Sequence, residues 1–149
     1  MNKDKVSYVF TLIGGGWGYS HDMYVITKDD KVYYTNKFNE DNLLDCNLEY
    51  MCDLYDSSRS NFWISSCYRK DKDGNQIEER KYLFDLLNDD GKIDFDNFKV
   101  EKYAIMDAID LTLYKNVDDE LKELVHQGYC SDSLPAVQYV LAICSKRSR

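Results

Sequence analysis

The chain has a single proline, two histidines, no C-x-x-C pair and no apolar run of membrane-spanning length in its 149 residues. One proline and no low-complexity tract leave nowhere to place a linker, and domains most often run to about 100–150 residues, so residues 1–149 are read as one compact domain. His21 and His126 are too few to build a metal centre. His126 and Cys130 do have i, i+4 spacing, but Gly128 between them would end a helix. No metal or other cofactor is expected, and no catalytic residue is assigned. The five cysteines, Cys46, Cys52, Cys67, Cys130 and Cys144, form neither a disulfide framework nor a zinc ribbon. Reduced thiols in a cytoplasmic protein fit that set best. The longest late apolar stretch, Val137 to Cys144, is far short of the roughly 20 residues of a membrane span, and the apolar stretch after Lys5 is broken by Ser7 and Thr11. Neither a membrane segment nor a signal peptide is expected.

Positive charge is also scarce. Nineteen basic residues stand against 27 acidic ones, for a net −8. That sign argues against direct binding of nucleic acid phosphates or of an anionic membrane.

What is present reads as an α+β fold: an antiparallel sheet made of an N-terminal meander and a further hairpin, packed with an acidic amphipathic helix and C-terminal helices. Residues 5–13 alternate with apolar groups on both faces, which predicts a central strand. Residues 22–27 and 31–37 read as two more strands around a turn at 28–31. Leu44, Leu48, Met51 and Tyr55 recur at i, i+4, i+7 and i+11, which predicts a helix over 40–56 with Asn39 as its N-cap. Residues 62–69 and 76–84 read as a hairpin turning at Asp71-Lys72-Asp73-Gly74, the second arm being ambiguous with a helix. From residue 101 helical spacing returns in Ile105, Met106, Ile109, Thr112 and Leu113. A short helix capped by Asn116 would carry Leu121, Leu124 and Val125, and a last helix starting near Asp132 or Ser133 would admit Pro135 in its first turn and bury Val137, Val140, Leu141 and Cys144.

Three local patterns invite chemical readings. Gly14-Gly15-Gly16-Trp17-Gly18 matches neither a P-loop, lacking the lysine and the following helix, nor the G-x-G-x-x-G fingerprint, because Tyr19 stands where the third glycine belongs. It reads as a loop or bulge between strands, or else as a binding loop displaying Trp17 and Tyr19. Ser20-His21-Asp22 holds the residue types of a hydrolase triad, but neighbours in an extended chain point to opposite faces and cannot form a relay. Asn88 to Phe98 resembles the second half of an EF-hand calcium loop. With Gly91 at the glycine position, however, Leu86 and Asn97 stand where the first carboxylate and the bidentate glutamate are needed, so a tight turn leading into a strand over 92–98 is expected.

The most specific signal is the distribution of acid. Asp41, Asp45, Glu49 and Asp53 are spaced by four, with Asp56 three further on. Together with Glu40, and with no base between Lys37 and Arg59, they give residues 40–56 −6 of the net −8. On a helix these carboxylates would form one ridge rising about 6 Å per step, close to the spacing of successive phosphates. Such like-charge pairs cost the helix about 0.2–0.5 kcal/mol each unless something cationic faces them. Either lysines fold against the ridge or a partner does. Residues 85–96 add a further −4. Thirteen tyrosines, among them Tyr33 and Tyr34 on opposite faces of a strand, suit interfaces.

The resulting expectation is a non-enzymatic cytoplasmic protein that binds a basic surface of another protein through Asp41, Asp45, Glu49, Asp53 and Asp56, with Trp17 and Tyr19 as further contacts. Its most concrete form is an inhibitor that mimics nucleic acid and fills the basic groove of a nucleic-acid-binding protein or defence nuclease, an analogy with anti-CRISPR-type DNA mimics drawn from charge and size. The competing expectation is a small-ligand binding module or minor enzyme using the loop at 14–21.

Overall fold

The computed structural model describes residues 1–14, 20–56, 58, 63–96, 109–128 and 135–144. Alternating apolar residues form β1 (Val6–Gly14), β2 (Ser20–Thr27) and β3 (Lys31–Thr35), the expected antiparallel meander. Asp30 closes the β2–β3 turn in the left-handed region, φ 59°, with its N–H donating to Thr27 O at 3.0 Å. Asp tolerates that conformation better than most residues. β4 (Glu49–Asp53) pairs with the outer side of β3, and β7 (Ile109–Val117) and β8 (Glu120–Gly128) extend the sheet beyond β1. The strand order is β4-β3-β2-β1-β7-β8, antiparallel throughout, so β1 lies inside the sheet as its two apolar faces require. β5 (Trp63–Lys70) and β6 (Gln76–Tyr82) form the expected hairpin as a separate two-stranded sheet. The Asp71 carboxylate holds its turn by accepting the N–H groups of Asp73 and Asn75, at 2.9 and 2.8 Å, with Gly74 at φ 81°.

Both faces of the large sheet are covered. On one, Phe10, Leu12, Ile26, Val32, Leu111, Leu113 and Val125 pack against α1 (Pro135–Ile143) through Val137, Tyr139, Val140 and Ile143. Leu83, Ile93 and Phe95 complete this layer. Pro135 opens α1, where its missing N–H costs nothing, and Val137 and Val140 are buried as expected. The Tyr139 hydroxyl, deep in the layer, donates to Leu54 O at 2.6 Å. On the opposite face Val6, Val9, Met23 and Val25 are roofed by Leu43 and Leu44, with Phe38, Cys46 and Leu48 alongside. Val6 joins this second layer, rather than that of Tyr8 and Phe10, because the register shifts between Val6 and Tyr8.

The structure is α+β, mostly antiparallel sheet with one α-helix among the described residues, and three expected helices are corrected. Residues 40–56 are turns followed by β4. Asn39 does use its side chain as a cap, accepting the Asp41 N–H at 2.9 Å, but it closes a turn and no helix follows. The apparent stripe divides between the layers, Leu44 and Leu48 on one face and Met51 and Tyr55 on the other. Residues 109–117 and 120–128 are strands, joined by Asp118 and Asp119 at φ 54° and 63°. Two left-handed residues between paired Val117 and Glu120 make a type I′ hairpin turn. Asn116 caps no helix; its side-chain amide ties down the amino end by donating to Lys3 O and Val6 O. Residues 92–96 do not form the expected strand, and 97–108 fall outside the described residues, as do 131–134 where the last helix was expected to begin.

The type I′ turn gives a direct check. Asn-Gly is the pair best suited to this turn, so D118N/D119G should stabilise the protein by about 0.5–1 kcal/mol in denaturant unfolding. A lower unfolding midpoint would contradict the turn assignment.

Candidate functional site

The acidic segment was expected to present one ridge; the structure distributes it over a roof and an edge strand. Asp41 and Asp45 are exposed on the turns that carry Leu43 and Leu44 into the second layer. Glu49 and Asp53, four apart, lie on opposite faces of β4. The register shifts between Val32 and Tyr33, which leaves Met51 as an extra residue, so Glu49 stands beside Tyr34 while Asp53 stands beside Lys31. Asp56 follows the strand and accepts the Ser58 N–H and hydroxyl, at 3.0 and 2.6 Å. The five carboxylates therefore form no single row, and the phosphate-like 6 Å repeat is absent.

Their partners differ as well. Asp53 has its own cation: Lys31 Nζ lies 3.1 Å from Oδ1, and the Tyr50 hydroxyl donates to the same oxygen at 2.8 Å. These bonds, Tyr50's first, hold the Asp53 carboxyl below its ordinary value. Glu49 lies near enough to Tyr34 to help raise its hydroxyl to about 12, behind the larger effects of burial and of the hydrogen bond to Asp22. Burial first, then Glu123 and Glu40, raises the Tyr114 hydroxyl, so each of these two acids lies within electrostatic reach of a ring that packs on the second layer. Among the described residues no Lys or Arg pairs with Glu40, Asp41, Asp45 or Glu123.

A cleft of about 360 Å³ lies between the ends of β1 and β2 and the loop over 88–96. Tyr8 stacks on Phe95 at 4.7 Å and donates to Asp96 Oδ1 at 2.9 Å, the oxygen that Lys115 Nζ also reaches at 3.0 Å. Lys92 Nζ sits 4.3 Å from the centre of the Tyr55 ring and 3.9 Å from Asp30 Oδ2. The two acidic stretches meet here, where the Tyr55 hydroxyl accepts the Ile93 N–H at 3.1 Å. Two of the rings that line the cleft, Tyr8 and Tyr55, thus carry ammonium groups, those of Lys115 and Lys92, beside carboxylates, an arrangement that favours cations. Periodicity along the chain carries no trace of it, since Tyr8, Asp30, Tyr55, Lys92 and Lys115 come from five separate segments.

The remaining candidates resolve locally. His21 and Asp22 do face opposite ways: His21 stacks on Phe38 at 3.9 Å with Nδ1 3.2 Å from Asn36 O, while Asp22 accepts the Tyr34 hydroxyl. Asn88 forms the tight turn in place of a calcium loop. Its Oδ1 accepts the N–H groups of Asp90 and Lys92, both at 3.0 Å, with Gly91 at φ 72°. No group of three or more His, Cys, Asp or Glu able to hold a metal occurs among the described residues. No helix among them is long and apolar enough to cross a membrane. Trp17 and Tyr19 lie outside the described residues, as does Cys130, and His126 stands on β8. Tyr33 and Tyr34 do point to opposite faces, each half-buried, whereas Tyr50 and Tyr68 are 49% and 63% exposed. The chain matches no known family model, no curated protein and no solved structure.

The Asp53 site carries a pH prediction. Folding lowers this carboxyl's pKa, so its contribution to stability is present above the unfolded value and is lost as pH falls through the lower folded value. In a carboxyl NMR titration Asp53 should titrate below the ordinary aspartate value of about 3.9. Tyr50→Phe should move the midpoint part of the way back, Lys31 remaining. A midpoint unmoved by Tyr50→Phe would contradict the assignment.

Proposed function

We propose that this protein acts by binding a partner protein, receiving a basic surface on the acids around its second layer, Glu40, Asp41 and Asp45, with Glu123 beside them. The observation that carries this reading is the absence of a cationic partner for these four carboxylates among the described residues. Clustered acids repel one another, and a basic partner would relieve that repulsion while steering association. Asp53 and Asp56 drop out of the contact set, because Lys31 and Ser58 already engage them. Glu49 lies on the other face, and as an edge-strand charge it also discourages pairing with a foreign strand.

The basic groove of a nucleic-acid-binding protein is a fitting partner surface, and occupying it would inhibit that protein. Support for this comes from charge alone, since the carboxylates are not arrayed like phosphates. Localisation in the cytoplasm belongs to the same proposal.

The test is affinity capture from the native host with wild type and with E40Q/D41N/D45N. Wild type should retain a basic protein at low salt and release it at high salt, because exposed charges are screened beyond about 10 Å at 0.1 M. The amide variant should retain at least tenfold less. Equal retention by both would overturn the proposal.

A further inference from the structure

The thiols of Cys52 and Cys144, 92 residues apart in sequence, meet with their sulfurs 3.6 Å apart. We propose that this pair is a redox modification site that closes to a reversible disulfide and ties the edge strand β4 to the end of α1. Both backbones are held. Cys52 on β4 pairs with Val32 on β3, and the Cys144 N–H donates to Val140 O at 3.1 Å, extending the last turn of the helix. Bond formation therefore needs only side-chain rotation and an approach of about 1.5 Å, to the usual S–S length of about 2.05 Å.

Access is unequal in a way that orders the chemistry. Cys52 is 7% exposed, whereas Cys144 is half-buried at the margin of the layer. Cys144 is the thiol a hydroperoxide reaches. Its sulfur attacks one peroxide oxygen, breaking the O–O bond to give a sulfenic acid and releasing water or alcohol from the other oxygen. Cys52 sulfur then attacks the sulfenic sulfur, forming the S–S bond and releasing its hydroxyl as water. The two thiols supply two electrons in total, which reduce the peroxide. Two equivalents of a small thiol restore both cysteines by exchange and leave as their own disulfide. Cys46 provides an internal contrast: it lies in the opposite layer, donates to Leu43 O at 3.3 Å, and burial pushes its thiol up.

The consequence is mechanical. β4 is bonded to the sheet by β3 alone, and a bridge to α1 gives it a second attachment across a long loop, the case in which a cross-link most restricts the unfolded chain.

The experiment treats the full chain with hydrogen peroxide, maps the products by peptide mass spectrometry, and repeats the treatment on C67S/C130S to remove the two other thiols. The expected product joins the Cys52 and Cys144 peptides with loss of two hydrogens, leaves Cys46 alkylatable, and raises Tm by on the order of 5–10 °C until dithiothreitol is added. Cys52→Ser should halt oxidation at Cys144 sulfenic acid, which a dimedone probe captures. Over-oxidation of Cys144 without a cross-link in the unsubstituted chain, or cross-links through other pairs, would overturn the proposal.

Discussion

A sheet whose inner strand is apolar on both faces has to be covered twice, and that constraint organises this molecule. β1 places Phe10 and Leu12 on one side and Val9 on the other, so neither side can be left to water. One cover is a helix with the loop over 88–96 beside it. The other is made from turns. A roof of turns has little apolar area to offer, and here it rests on Leu43 and Leu44. Side chains on it that do not reach the layer are then free to be polar, which is where Glu40, Asp41 and Asp45 stand.

The parts legible in the sequence were those in which alternation or helical spacing holds over most of the element. The meander, the β5–β6 hairpin with its Asp-x-Asp-Gly turn, and α1 over Pro135–Ile143 follow from alternation, turn residues and helical spacing. Two of the three mistaken helices share one cause. β4, and the β7–β8 pair between Leu113 and Tyr114, each contain a register shift. An extra residue in an alternating strand turns a spacing of two into a spacing of three, and neighbouring threes and fours imitate a helix. Leu48 and Met51, or Leu121, Leu124 and Val125, satisfied that imitation while belonging to opposite layers or to a bulged strand. Ile109-Asp110-Leu111-Thr112-Leu113 did carry strict alternation, and the Asp118-Asp119 pair after it is a hairpin signal in its own right.

The candidate site was legible in composition but not in geometry. An excess of acid over residues 40–56 marked the right segment, yet its arrangement depends on which residues anchor the roof and where β4 bulges. Asp53 and Asp56 were drawn into local bonds that sequence spacing cannot show. The cleft at Tyr8, Tyr55 and Phe95, and the contact between Cys52 and Cys144, arise only when distant segments are brought together by the sheet.

The central claim is a division of labour within one segment: Leu43 and Leu44 hold the roof, and the carboxylates around them are free for display. Denaturant unfolding of two variants separates these roles. L43A/L44A should lose about 2–5 kcal/mol of stability through the cavity it leaves in the second layer, while E40Q/D41N/D45N should stay within about 0.5 kcal/mol of wild type or exceed it. A loss in the amide variant as large as that in the alanine variant would show that the acids support the fold, and would contradict the account.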